Sequence, residues 1–191
     1  HNAQINLERV ATKDVIAGYH IELSTGSDAG VFHANGGAAT DTFDIQEGYA
    51  QILLPFGNGI DLKVGKFATL SGSEVIESKD DLNYSRSILF TWAIPFTHTG
   101  VRATYAINDQ YSVTLGANNG WDDMANRNNA NTAEFQFAAK PIDGLALYAT
   151  VYYGAEQANE DGNKRFLFDL VALYTNGPWT FGGNLDLATE E

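Results

Sequence analysis

Between Glu74 and Asp81 the sequence EVIESKDD sets four carboxylates, Glu74, Glu77, Asp80 and Asp81, against one ammonium, Lys79. Bases stand on both sides of it: Lys63 and Lys66 before, Arg86 and Arg102 after. If the acidic segment faced those bases across a narrow aqueous gap, low-dielectric walls would strengthen the field between them. Charged groups so arranged sort ions without transforming them. On a solvated external loop the same acids would feel only screened interactions. The choice depends on the elements that position the segment.

Other chemistries find little support. The histidines His1, His20, His33 and His98 are scattered, with no two at metal-ligand spacing, so no metal is expected. GSDAG does not place Ser27 on a nucleophile elbow, and GNG and GANNG are turn glycines, not phosphate loops. Asn83-Tyr84-Ser85 matches a glycosylation acceptor only incidentally. Loop acids Asp122, Asp123, Glu160 and Asp161 could hold calcium, but solvated loops facing cations account for them more simply. No enzyme and no cofactor are expected. The absence of cysteine removes a disulfide scaffold and cysteine-ligated zinc. A net charge of −13 lacks the basic footprint of a nucleic-acid binder. The opening HNAQINLERV lacks the charged-then-apolar pattern of a signal peptide.

The chain has 191 residues, 44% of them apolar, yet no apolar run approaches the ~20 that a spanning helix needs. Its dominant period is two, the signature of strands. IDLKV sets Ile60, Leu62 and Val64 against Asp61 and Lys63; AEFQFAAK sets Phe135 and Phe137 against Glu134, Gln136 and Lys140. LALYATVYYG, FLFDLVALY and WTFGGNLDLA repeat the pattern, with Asp169 and Asp186 on the polar side. A soluble sandwich also alternates. Three features favour a membrane barrel. Several strands run to about ten residues, the length of a tilted membrane strand. Large rings gather at strand ends, Tyr105, Tyr111, Tyr174 and Trp179 at one rim and Tyr153 and Phe166 at the other, with aliphatics between, as in an aromatic girdle. Short turns (VATKD, PFGNG, INDQ, PIDG, TNGP) alternate with long polar loops (26–42, 119–131, 155–164). That alternation marks periplasmic turns and extracellular loops.

It also constrains the apolar stretch NYSRSILFTWAIPFTHTG. Two wall strands there would place two short turns in succession and send every later long loop to the wrong side. If only 99–107 is wall, parity holds and 69–98 is one long connection, too apolar for disorder. Such a segment is expected to fold into the lumen as a constriction loop; a strand kinked at Pro95 is the alternative. The expected wall is ten antiparallel strands: 2–9, 14–25, 44–54, 60–68, 99–107, 111–118, 132–140, 145–154, 165–175 and 179–188. Both chain ends then lie on the loop side, and the last residues are LATEE, so an incomplete portion of a larger barrel is expected.

Specific blocks carry a resemblance. They are Glu74 and Ile76 after a glycine, Asn83-Tyr84-Ser85-Arg86-Ser87, Pro95-Phe96-Thr97-His98-Thr99-Gly100-Val101, Asn119-Gly120-Trp121-Asp122, and upstream Pro55, Gly59 and Lys66-Phe67. Together the sequence resembles the OmpL-like β-barrel porins of Gram-negative outer membranes, in detail over roughly half the chain. The resemblance implies passive diffusion of small hydrophilic solutes or ions, with membrane lipid and lipopolysaccharide as surroundings. A homo-oligomer is left open. Pore-lining positions are then Glu74, Glu77, Asp80 and Arg86 on the loop, and Lys63, Lys66, Arg102, Glu134 and Lys140 on the wall. Alternatives are a structural outer-membrane barrel, as an electron-transfer sheath or adhesin, and a soluble carbohydrate-binding sandwich.

Overall fold

The structure, a computed structural model, describes residues 2–37 and 42–191. His1, and positions 38–41 of the first long loop, lie outside the described residues. Ten strands dominate: β1 (Asn2–Arg9), β2 (Ala17–Gly26), β3 (Phe43–Leu54), β4 (Ile60–Ala68), β5 (Thr97–Ala106), β6 (Tyr111–Asn118), β7 (Thr132–Ala139), β8 (Leu145–Gly154), β9 (Arg165–Asn176) and β10 (Trp179–Glu190). Between them lie two short helices, α1 (Ala29–Phe32) and α2 (Ile88–Trp92), and a 3-10 turn at Ser78–Asp80. All ten strands fall where the alternation predicts. The differences are at ends: β2 begins at Ala17, β5 at Thr97, and Lys140 lies just past β7.

The strands form one antiparallel meander in sequence order. Among the described residues β1 pairs only with β2 and β10 only with β9, so the sheet is an open wall with two free edges. Short turns and long connections alternate along it, as parity requires. The tightest is the two-residue Gly177-Pro178 turn between β9 and β10, where Gly177 takes φ +58°, a conformation that suits glycine.

Register aligns the alternation into rows. One row runs Ile52, Leu62, Ala103, Leu115, Phe135, Val151, Phe168, Leu187 across eight strands. It lies on the outer face, where Leu115 is 60% exposed. The adjacent row runs Asp61, Thr104, Thr114, Gln136, Thr150, Asp169, Asp186. It lies on the inner face, where Thr150 and Asp169 are fully buried. The protein therefore exposes apolar side chains and buries polar ones, the reverse of a soluble sandwich and the arrangement of a membrane wall. At the rims Tyr153 pairs with Phe166, Tyr174 with Phe181, and Tyr111 stacks on Phe137.

Candidate functional site

The inner face of the sheet and the 69–96 connection form the candidate site. Strand β9 explains how they meet. Its outer positions Phe166, Phe168 and Leu170 belong to the apolar surface, but Leu167 and Val171, facing the other way, are buried too. The connection covers Leu167. Ile76, Phe90 and Ile94 pack with Phe32, Tyr152 and Leu167 in one cluster, with Phe96 and Trp121 against it. Polar latches fix the start of the segment to the wall. The Tyr152 hydroxyl accepts from the Leu70 amide at 3.0 Å, and Gln136 and Thr150 donate to the Leu70 carbonyl at 3.0 and 3.3 Å. The Ser73 amide donates to Asn184 Oδ1 at 3.1 Å, which carries the segment across to β10.

Within the segment Arg86 is the organiser. Its guanidinium donates to Asp81 Oδ2 at 2.7 Å, to the Val75 carbonyl at 2.5 Å, to Ser78 Oγ at 3.0 Å and to the Ile76 carbonyl. It also lies 4.4 Å over the Phe90 ring. Glu74 accepts from the Ser87 amide and hydroxyl. Ser87 Oγ in turn caps α2 by accepting from Phe90 N at 3.1 Å. Lys79 pairs with Asp80 at the exposed tip.

The wall bases take partners on the wall. Arg102 forms a buried fork with Glu134, Nε to Oε1 2.6 Å and Nη2 to Oε2 3.0 Å, and lies 4.0 Å over Phe67. Lys66 is buried and bonded to Asp44 Oδ2 at 3.0 Å and to the Ile45 carbonyl at 2.7 Å. Lys63 donates to the Tyr49 hydroxyl at 3.3 Å. Lys140 is exposed at the short-turn end, away from the segment. The expectation that loop acids face wall bases is therefore met differently. Lys63, Lys66 and Arg102 already have their own partners, and the loop carboxylate Glu77 stands instead near the wall acids Glu22 and Glu47. The sequence reading did not include Glu22 or Glu47. A register shift between Glu22 and Leu23 breaks the alternation there, so simple parity could not assign Gln46 and Glu47 to a face.

The long loops are clasped to one another by Asp122, in the 119–131 loop. Its Oδ1 accepts from the amides of Phe96 (2.9 Å) and Thr97 (2.8 Å), where the segment rejoins the wall. Its carbonyl accepts from the Asn35 amide at 2.7 Å, which ties in the first long loop. Burial pushes the Asp122 carboxyl up to about 6 despite those two donors. Next to it Glu156 accepts from Trp121 N at 2.7 Å and from the Thr132 hydroxyl at 2.5 Å; burial raises its carboxyl as well. His98 Nδ1 donates to the Gly120 carbonyl at 3.0 Å, and the ring stacks on Tyr152.

The arrangement offers a polar, charge-dense inner surface, partly crossed by an anchored segment, behind an apolar outer surface. No curated protein and no solved structure matches this chain. The match to the family described as "Putative beta-barrel porin-2, OmpL-like" extends over residues 1–191, the whole sequence, and the chain belongs to that family.

Proposed function

We propose that the protein is a Gram-negative outer-membrane porin that lets small hydrophilic solutes and ions diffuse passively through a water-filled lumen. One observation carries this reading: a row of apolar residues on the exposed face runs beside a row of polar residues on the buried face across the strands of the sheet. An outer face of that kind is stable in hydrocarbon, and an inner one in contact with water. Among the described residues no helix is long and apolar enough to cross a membrane. Lipid and lipopolysaccharide are its surroundings, and its work is passage, with no bond made or broken.

The segment 69–98 is the constriction loop in this reading, and Glu74, Glu77, Asp80, Arg86, Lys63, Lys66, Arg102, Glu134 and Lys140 are graded by place. Glu77, on the segment, places a carboxylate on the path, which favours cations. The buried pairs Arg102–Glu134 and Lys66–Asp44 set the shape of the wall. Lys140 lies at the short-turn mouth. An electron-transfer sheath would need a wide free lumen, and the latches at Leu70 and Ser73 argue against that use. The test is conductance in a planar lipid bilayer. The proposal expects stepwise, ohmic channel events from protein whose migration on gels changes on heating; folded protein that inserts without such events would refute it.

A further inference from the structure

The long-loop end of the inner face holds a cavity of about 500 Å³ between α2 and the ends of β9 and β10. Trp92, Trp121, Arg165, Asp186 and Glu190 line it. Trp92 is 82% exposed, although its helix neighbour Phe90 and the nearby Ile94 are buried in the segment's core. An open indole here is not explained by lipid, because the segment lies on the polar side of the sheet. Trp121 holds the Arg165 guanidinium 4.5 Å over its ring. Arg165 is in turn fixed by Glu190, with Nη2 2.8 Å from Oε2 and Nε 3.1 Å from the same oxygen.

We infer that this cavity binds a neutral saccharide on its way into the lumen, an inference that rests on the porin reading and names its substrate class. A sugar ring presents a face of C–H groups with partial positive charge, which suits the negative face of an indole. Its rim carries hydroxyls that donate and accept. The Asp186 carboxylate provides acceptors, and Arg165 Nη1, the guanidinium nitrogen that Glu190 does not engage, provides donors held in place by the Glu190 fork. A wholly apolar solute would cover these ions without bonding them, at a cost. An anionic solute would meet two carboxylates and one guanidinium. The volume lies within the ~300–1,000 Å³ common to small-molecule sites, enough for one or two sugar rings. Affinity at such a site is weak, because a solute that passes must also leave.

The experiment uses the reconstituted protein carrying Trp179→Phe, so that only Trp92 and Trp121 report by fluorescence. Maltotriose and cellobiose are the probes, with choline and acetate for comparison. The expected result is a saturable fluorescence change with the sugars at millimolar concentration, a matching reduction of ion current, and no saturation with acetate. Trp92→Ala weakens the apparent sugar affinity, read from the reduction of ion current, by about tenfold, while Trp92→Phe retains most of it. Absence of a saturable sugar response, an equal response in Trp92→Ala that still migrates as folded protein, or saturation by choline alone would overturn the inference. Channels that conduct ions but ignore sugar would refute this site and leave the porin reading intact. Sugar-dependent fluorescence from protein that conducts no ions would do the reverse.

Discussion

Arg102 and Glu134 stand two strands apart, and the residue between them in register is Gly116. The fork bridges β5 and β7 directly above that glycine. A Cβ on Gly116 would fall 2.3 Å from Glu134 Oε1, so the pair exists only because β6 has no side chain there. The guanidinium also donates to the Ala68 carbonyl, and Asn118 approaches the carboxylate. Removing one partner leaves the other charge buried. Glu134→Ala is expected to destabilise the fold by about 3–5 kcal/mol. Gly116→Ala, which leaves both charges in place but displaces them, costs about 1–3 kcal/mol. Urea unfolding of the refolded protein measures both; a neutral Gly116→Ala would show that the fork does not depend on that gap.

The outer row gives a second prediction. Leu115→Arg or Phe168→Arg puts a charge on the exposed face at mid-strand, at a cost of about 2–4 kcal/mol in a bilayer. The comparison position must be chosen from the structure. Thr150 and Asp169 face inward, yet both are fully buried under the segment and bonded to Gln136 and Asn184, so neither has room for arginine. Ser112, inward and half-buried near the short-turn end, does. Insertion yield into liposomes should fall for the two outer substitutions and hold for Ser112→Arg. Equal yields would mean that the faces are reversed.

Asp122 makes the loop clasp pH-dependent. An unfolded aspartate titrates near ~4, and burial moves Asp122 up to about 6. Between those values the folded state holds more protons than the unfolded one. The contribution is thus fully present below the lower value and is lost as pH rises through about 6. Thermal stability of the wild type should fall more steeply between pH 4.5 and pH 7.5 than that of Asp122→Asn, as followed by melting in the same detergent. Parallel pH profiles would remove Asp122 from this role.

How much of this was legible in the sequence depends on the range of the interaction. Alternation is local, so strands such as Thr132–Ala139 and Leu145–Gly154 could be placed closely, and parity then isolated the segment 69–98, whose last two residues belong to β5. The helix Ile88–Trp92 was not readable, because five residues are too few to show a helical period. Partners were hidden for another reason. Arg102 and Glu134 are separated by a hairpin and a 13-residue loop, and only the exact register around Gly116 brings them together. Lys66 and Asp44 pair near the register shift in β2 and β3, where counting by twos fails. Charge composition alone suggested acids opposite bases; packing satisfied the bases elsewhere.

The same arrangement predicts the sign of selectivity. Glu77 stands with Glu22 and Glu47, while Lys63, Lys66 and Arg102 are engaged on the wall. Glu77→Gln should shift the reversal potential in a salt gradient towards anions. Neutralising the exposed Lys79 and Asp80 pair should leave it nearly unchanged, because exposed charges are screened. Equal shifts in both variants would contradict this placement of the acids.

The central claim is that the 69–98 segment narrows a conducting lumen. Removing Val75 to Asn83 deletes Glu77, Asp80 and Asp81 and all four hydrogen-bond partners that hold Arg86, but spares Glu74 and the latches at Leu70 and Ser73. Single-channel conductance of this deletion beside the wild type, in a planar bilayer and with heat-modifiable migration confirming the fold, tests the claim most directly. The account predicts larger conductance steps in the deletion. Steps of unchanged size would place the segment outside the path, and an absence of steps from both folded proteins would mean that the wall encloses no channel.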